Sequence, residues 1–233
     1  MGDFEWNVVK ETPYIKDLLR FTKYPSPLQN AGLTHSVLDK KGFFLTVDMC
    51  PSVKSFEKDF FLQLITLGKS KKPPFPVAIS ISGLWALEHK QEFNWLLQMQ
   101  RKHKLNITWV NHSFSHLYFQ DLPLRENFLL FFQTNLENEL LAIELLLLNK
   151  KQLPSVFIRF PGLISDKFVL ETSQRLGLIP LGSDAWLAKN QVPKDGSIIL
   201  VHGNGNEHAG IHDVMAYLKD PNRTWLPIAQ ACN

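Results

Sequence analysis

Short runs that are apolar on both faces alternate along this chain with longer stretches of helical periodicity, and no other feature restricts the fold as much. The runs GFFLTV and SIILV leave no face for water, as expected of strands covered by helices on one side and a core on the other. Strands are expected over residues 42–50, 76–84, 106–110, 155–160, 179–183 and 197–202, and helices over 53–69, 88–104, 124–151, 166–176 and 212–219. Such alternation predicts an α/β fold, a parallel sheet with crossover helices, whose chemistry sits on the loops after the strands. Residues 1–233 read as one domain, with the mixed, proline-containing segment 1–41 as a lead-in capping the barrel.

Composition narrows the partners. At 233 residues the chain can bury a sizeable core. A formal net charge of +3, with lysines scattered rather than striped among aromatics, argues against nucleic acid. The greasiest stretch, Leu140–Leu148, is short and carries Glu144, so no membrane span is expected. The N-terminal residues lack the apolar run of a secretory signal, and the two cysteines, Cys50 and Cys232, do not suggest a disulfide framework. Both features point to the cytoplasm. Oligomeric state is not legible.

The strongest local signal is NHSFSH, residues 111–116. His112 and His116 are four apart, so on one helical turn their imidazoles share a face and can share a metal, with Ser113 capping the turn. Eight histidines in this length give roughly 0.3 such pairs by chance, so spacing leaves ligation and coincidence both open. Position adds weight, because the pair follows an apolar strand. Four further predicted strand ends deliver Asp48 (TVDMCP), Arg159 (RFPG), Asp184 and Trp186 (GSDAW), and His202 (LVHG). Each alone reads as a strand-end cap or surface charge; together they suggest one site.

The order Asp, His-Ser-x-x-His, Arg-x-Pro, Asp-x-Trp, Leu-x-His resembles the motifs of the polysaccharide deacetylases, carbohydrate esterase family 4, from about Phe43 to His202. The resemblance implies a distorted barrel of about seven parallel strands. It also implies hydrolysis of acetyl groups from N- or O-acetylated sugars with a divalent metal, usually zinc. His112 and His116 would then hold the metal, and Asp48 would be the general base. Arg159 would pair with that base, and Pro161-Gly162 would offer a backbone N–H to the oxyanion. His202 would be the general acid, oriented by Asp184, with Trp186 walling the sugar pocket.

Three departures from the family pattern stand out. Met49 takes the place of the second acid of the first motif, the expected third metal ligand, and a thioether suits zinc poorly. The site is therefore expected to be weakened or empty, and Met49→Asp to raise metal affinity. Cys50 replaces the motif's glycine and reads as a packed strand-end residue rather than a nucleophile. The aromatic of the Arg-x-Pro-aromatic-Gly run is missing, so another residue must shape the pocket. Glu207, His208 and His212 fall in the loop HGNGNEHAGIH, read as a substrate-covering or plain surface loop. Two alternatives to a metal-assisted deacetylase follow: a non-catalytic carbohydrate-binding protein, and a metal-independent hydrolase of a non-peptide C–N bond.

Overall fold

Seven strands line up in the order β5-β4-β3-β2-β1-β7-β6, parallel at every pairing. The structure, a computed structural model, describes residues 9–38, 40–69 and 73–232; the N-terminal residues read above as leaderless lie partly outside that range. The strands are β1 (Phe44–Met49), β2 (Pro76–Ile81), β3 (Asn106–Asn111), β4 (Phe157–Ile158), β5 (Ile179–Pro180), β6 (Ala185–Trp186) and β7 (Ile198–His202). Helices α1 (Pro13–Phe21), α2 (Lys58–Gly68), α3 (Gly83–Glu88), α4 (Lys90–Arg101), α5 (Leu136–Asn149), α6 (Lys167–Arg175) and α7 (His208–Lys219) complete it. No helix among the described residues is long and apolar enough to cross a membrane.

The sheet curls into a distorted barrel. Its curvature shows in a contact that skips two strands: Arg159, just past β4, donates from Nη2 to Thr46 Oγ1 on β1 at 2.9 Å. Side chains alternate along each strand. On β1, Leu45, Val47 and Met49 face the outer helices and pack with Phe61, Leu64, Trp85 and Val201. Phe44 faces inward, among Ala78, Val110, Phe157, Ile179 and Ile198, which form an apolar plug. Above that plug, Thr46, Asp48 and Arg159 make the interior polar. Burying each large outer-layer side chain contributes about 1.5–3 kcal/mol, so this layer fixes the phase of every strand.

The lead-in threads between the two ends of the sheet. Leu33 N–H donates to the Pro180 carbonyl at 2.9 Å, and Gly182 N–H returns a bond to the Leu33 carbonyl at 2.8 Å. Two residues on, His35 bridges Ser197 at the start of β7.

Three expectations need correction. The helix expected over 124–151 begins at Leu136, capped by Asn135, whose side chain accepts from Asn138 N–H at 3.0 Å. Before it, buried Asn127 organises a loop: its Oδ1 accepts from Phe119 and Phe128 N–H, and its Nδ2 donates to the Phe119 and Leu122 carbonyls. Pro123 and a left-handed Phe128 (φ 55°) break the leucine-rich periodicity there. The two-residue β6 was not anticipated. The last helix starts at His208, four residues early, leaving His208 and His212 exposed on it.

Candidate active site

The phase of β1 decides which groups reach the barrel mouth. Because Asp48 faces inward, so does Cys50, while Met49 between them is fully buried in the outer layer. The Met49 side chain is therefore turned away from the two histidines. Gly203 seals that arrangement, since a Cβ there would lie 2.8 Å from the Met49 sulfur. On β7, Val201 faces outward and His202 inward, and register sets His202 beside Asp48.

His112 and His116 leave β3 in a bend, not the helical turn expected. Asn111 Oδ1 accepts from Ser113 N–H at 3.0 Å, and Ser113 Oγ accepts from His116 N–H at 3.2 Å, the capping role foreseen for that serine. Glu139 of α5 clamps the bend by accepting from Phe114 and Ser115 N–H at 3.0 and 2.8 Å. Ser113 and His116 adopt positive φ (61° and 49°), a conformation retained only where the surroundings enforce it. The bend brings the two imidazoles together, ring centres 4.7 Å apart.

His112 Nδ1 lies 2.8 Å from the Arg159 carbonyl, which can only accept, so Nδ1 carries a proton and Nε2 is the atom turned toward Cys50 and Asp48. That Nε2 lies 3.4 Å from Cys50 Sγ and 4.0 Å from Asp48 Oδ2. Cys50 Sγ and one nitrogen from each of His112 and His116 all lie within 4.8 Å of one another. Cys50 is thus no mere packing residue, and its carbonyl is held by Asn204 Nδ2 at 2.7 Å. Burial opposes ionisation of its thiol, but His116 and His112, by charge and hydrogen bonding, hold it well below the ordinary thiol range.

Asp48 is buried, with Oδ2 3.9 Å from Arg159 Nη1. Burial opposes ionisation and would raise its pKa, yet the charges of Arg159, His112 and His202 hold the carboxyl below its usual range. Buried polar atoms here without a hydrogen-bond partner among the described residues include Asp48 Oδ1, His116 Nε2, and Nε and Nη1 of Arg159. Buried polar groups are ordinarily satisfied, so the cluster is built to receive something. A cation and a polar substrate fit that donor set.

Asp184 is elsewhere. Its Oδ1 accepts from Ile198 N–H at 3.0 Å, and its Oδ2 lies 2.7 Å from His35 Nδ1 and accepts from Ser197 Oγ at 3.1 Å. These partners mark the start of β7, four residues, or roughly 13 Å of strand, below His202. The carboxylate beside His202 is Glu207, with Oε2 2.8 Å from His202 Nδ1. Trp186 Nε1 donates to the same oxygen at 2.7 Å, and Lys189 Nζ sits 3.6 Å above the Trp186 ring. Burial would lower the basicity of His202, but hydrogen bonding to Cys50 and Glu207 and the charges of Cys50 and Asp48 push it up to about 10.

These groups floor a pocket of about 820 Å³, a volume suited to one or two sugar rings. Trp186 and Gly162 line it; Pro161, buried, opens the short turn that presents Gly162. Gly162 is left-handed (φ 61°), and a Cβ there would meet the Phe128 ring at 2.4 Å. Phe128 packs against Gly162 and lines the pocket wall beside it. Cys50, Glu207 and Phe128 escaped assignment from sequence; only Cys50 carried a usable signal, its even spacing from Asp48.

No family model matches the chain. Its structure is similar to a family 4 carbohydrate esterase from Bacillus anthracis (TM-score 0.63, 20% identity, covering 94% of this chain and 92% of that one). It is also similar to the chitin deacetylase of the fungal pathogen Colletotrichum lindemuthianum (0.60, 13%, 88% and 92%). A third similar structure is a family 4 pseudoenzyme from Bacillus anthracis (0.57, 13%, 94% and 82%).

Proposed function

We propose that this chain, which has the fold of the family 4 carbohydrate esterases, is a divergent member of that family and hydrolyses an acetyl group from an N- or O-acetylated sugar with the help of a divalent metal. One observation carries the reading: Asp48, His112, His116 and His202, drawn from three strand ends, line one sugar-sized pocket, and buried Arg159 from a fourth lies 3.9 Å from Asp48.

His112 and His116 would hold the metal, which would supply polarisation of the acetyl carbonyl and a lowered pKa for water. Asp48, kept ionised by Arg159, takes a proton from the attacking water. His202, charged at neutral pH, gives a proton to the departing nitrogen or oxygen, so that water and substrate become acetate and a free amine or alcohol. Glu207 orients the imidazolium through Nδ1, as a positioning residue. The Gly162 N–H would serve the oxyanion, and Trp186 and Phe128 would wall the sugar.

The test is acetate release from N-acetylated sugar oligomers, with elemental analysis of the same sample. Stoichiometric metal with acetate release, abolished by chelation, is the expected result. Release that survives chelation, with no metal found, would replace this reading with metal-independent hydrolysis. The likeness to a pseudoenzyme, together with the missing acid at position 49, favours a second reading: a non-catalytic carbohydrate-binding protein. Sugar binding without metal or turnover selects it.

A further inference from the structure

We propose that Cys50 is the third protein ligand of the metal, so that the centre is a Cys-His-His site selective for thiophilic divalent ions, zinc or cobalt, over magnesium, calcium or manganese. The proposal rests on the reading above that His112 and His116 bind metal.

Three observations carry it. First, strand phase removes position 49 from the site and puts position 50 into it, so the ligand lost at Met49 is regained one residue later. Second, the Cys50 Sγ to His112 Nε2 separation of 3.4 Å is close to the separation of about 3.5 Å that a tetrahedral zinc imposes on a sulfur and a nitrogen ligand. Third, the surroundings have the form of a metal centre's outer shell. His112 gives its other N–H to a backbone carbonyl, the partner that fixes the tautomer of a ligating histidine. The buried Nε2 of His116 has no hydrogen-bond partner among the described residues.

A chemical consequence follows. With sulfur completing the site, Asp48 is free of ligand duty and available as the base. Thiolate and imidazole donors suit zinc and cobalt, whereas magnesium, calcium and manganese require oxygen.

Cobalt(II) titration of chelator-treated full-length protein tests this directly. A thiolate-to-cobalt charge-transfer band in the near ultraviolet is expected at one equivalent, and excess magnesium should not compete. Cys50→Ser should lose the band and weaken cobalt binding roughly tenfold or more, since even outer-shell changes cost 10–100-fold. Cys50→Asp should keep cobalt and lose the band, which shows that band loss is not unfolding. Cobalt bound at one equivalent without the band, unchanged affinity in Cys50→Ser, or no cobalt binding would each overturn the proposal. Acetate release, scored separately with zinc, distinguishes the two readings: a band without turnover leaves the ligand set standing and removes the deacetylase, and turnover without a band does the reverse.

Discussion

His202 and Glu207 pair through Nδ1 and Oε2 at 2.8 Å, although a different carboxylate, Asp184, fits the family motif by sequence. Glu207 lies at the end of the glycine-containing loop that follows β7, and Trp186 Nε1 holds it in place. A carboxylate at this position keeps the imidazole charged and directs its free edge into the pocket.

Glu207→Gln should therefore move the alkaline limb of a pH–rate profile downward. Wild-type His202 keeps its proton up to about pH 10. Because that folded value is raised above the unfolded one, the associated stability is fully present below about pH 6.5 and fades as pH rises through about 10. Removing the Glu207 charge narrows that window from its upper side. We expect kcat to fall roughly tenfold to a hundredfold, within the range an acid–base group supplies, with KM little changed. A profile whose alkaline limb stays in place would remove Glu207 from the mechanism.

Asp184→Asn should behave oppositely. Its partners His35, Ser197 and the Ile198 N–H tie the lead-in to the start of β7, the face of a parallel barrel associated with stability. Urea denaturation should show a loss of about 1–3 kcal/mol, the cost of leaving such donors poorly matched, while the pH–rate profile keeps its shape. A shifted limb would restore the sequence-based role of Asp184.

The parallel alternation was legible because strands covered on both faces must be apolar throughout, as in 43–47 and 197–201. Asp48, His112, Arg159 and His202 drew notice in the sequence only together, since any one of them at the end of such a run reads equally as a cap or a surface charge, and the sheet brings these four together. Asp184 was misread because β6 is two residues long. Without it, the aspartate seems to end β5, when in fact it precedes β6 at the opposite end of the barrel. Glu207 joins the site only through loop closure, which no periodicity encodes. Phe128 sat within leucine-rich periodicity that the buried Asn127 overrides. Met49 and Cys50 could be told apart only once the phase of β1 was known, since a one-residue slip exchanges the faces of a strand.

That phase makes Met49→Asp a sharp experiment. The expectation from motif alignment is tighter metal binding. The structure instead puts the new carboxylate in the apolar cluster of Val201, Phe61 and Trp85. Loss of the buried methionine side chain alone costs about 2–5 kcal/mol, and the unpaired acid adds to that, so the variant should unfold or bind metal no better. Tighter cobalt binding by a stably folded variant would mean that β1 is out of register by one residue.

Arg159 offers the complementary test on the acid side. It is fully buried, bonded to Thr46 and 3.9 Å from Asp48. Asp48 has a folded value below its unfolded one, so its contribution to stability is present above about pH 3.8 and lost as pH falls through the lower, folded value. In Arg159→Met, burial acts on Asp48 with less opposition, the carboxyl becomes easier to protonate, and the acid limb of activity should move up toward neutral. Breaking a buried pair by removing one partner costs about 3–5 kcal/mol, so denaturant midpoints should also drop, most sharply at neutral pH, where Asp48 must stay charged without its cation. Arg159→Lys should recover part of the midpoint but not the bond to Thr46, whose position a shorter ammonium group does not reach in the same geometry. An acid limb that stays in place in Arg159→Met, measured on protein still folded at the assay pH, would show that Asp48 is not the titrating base.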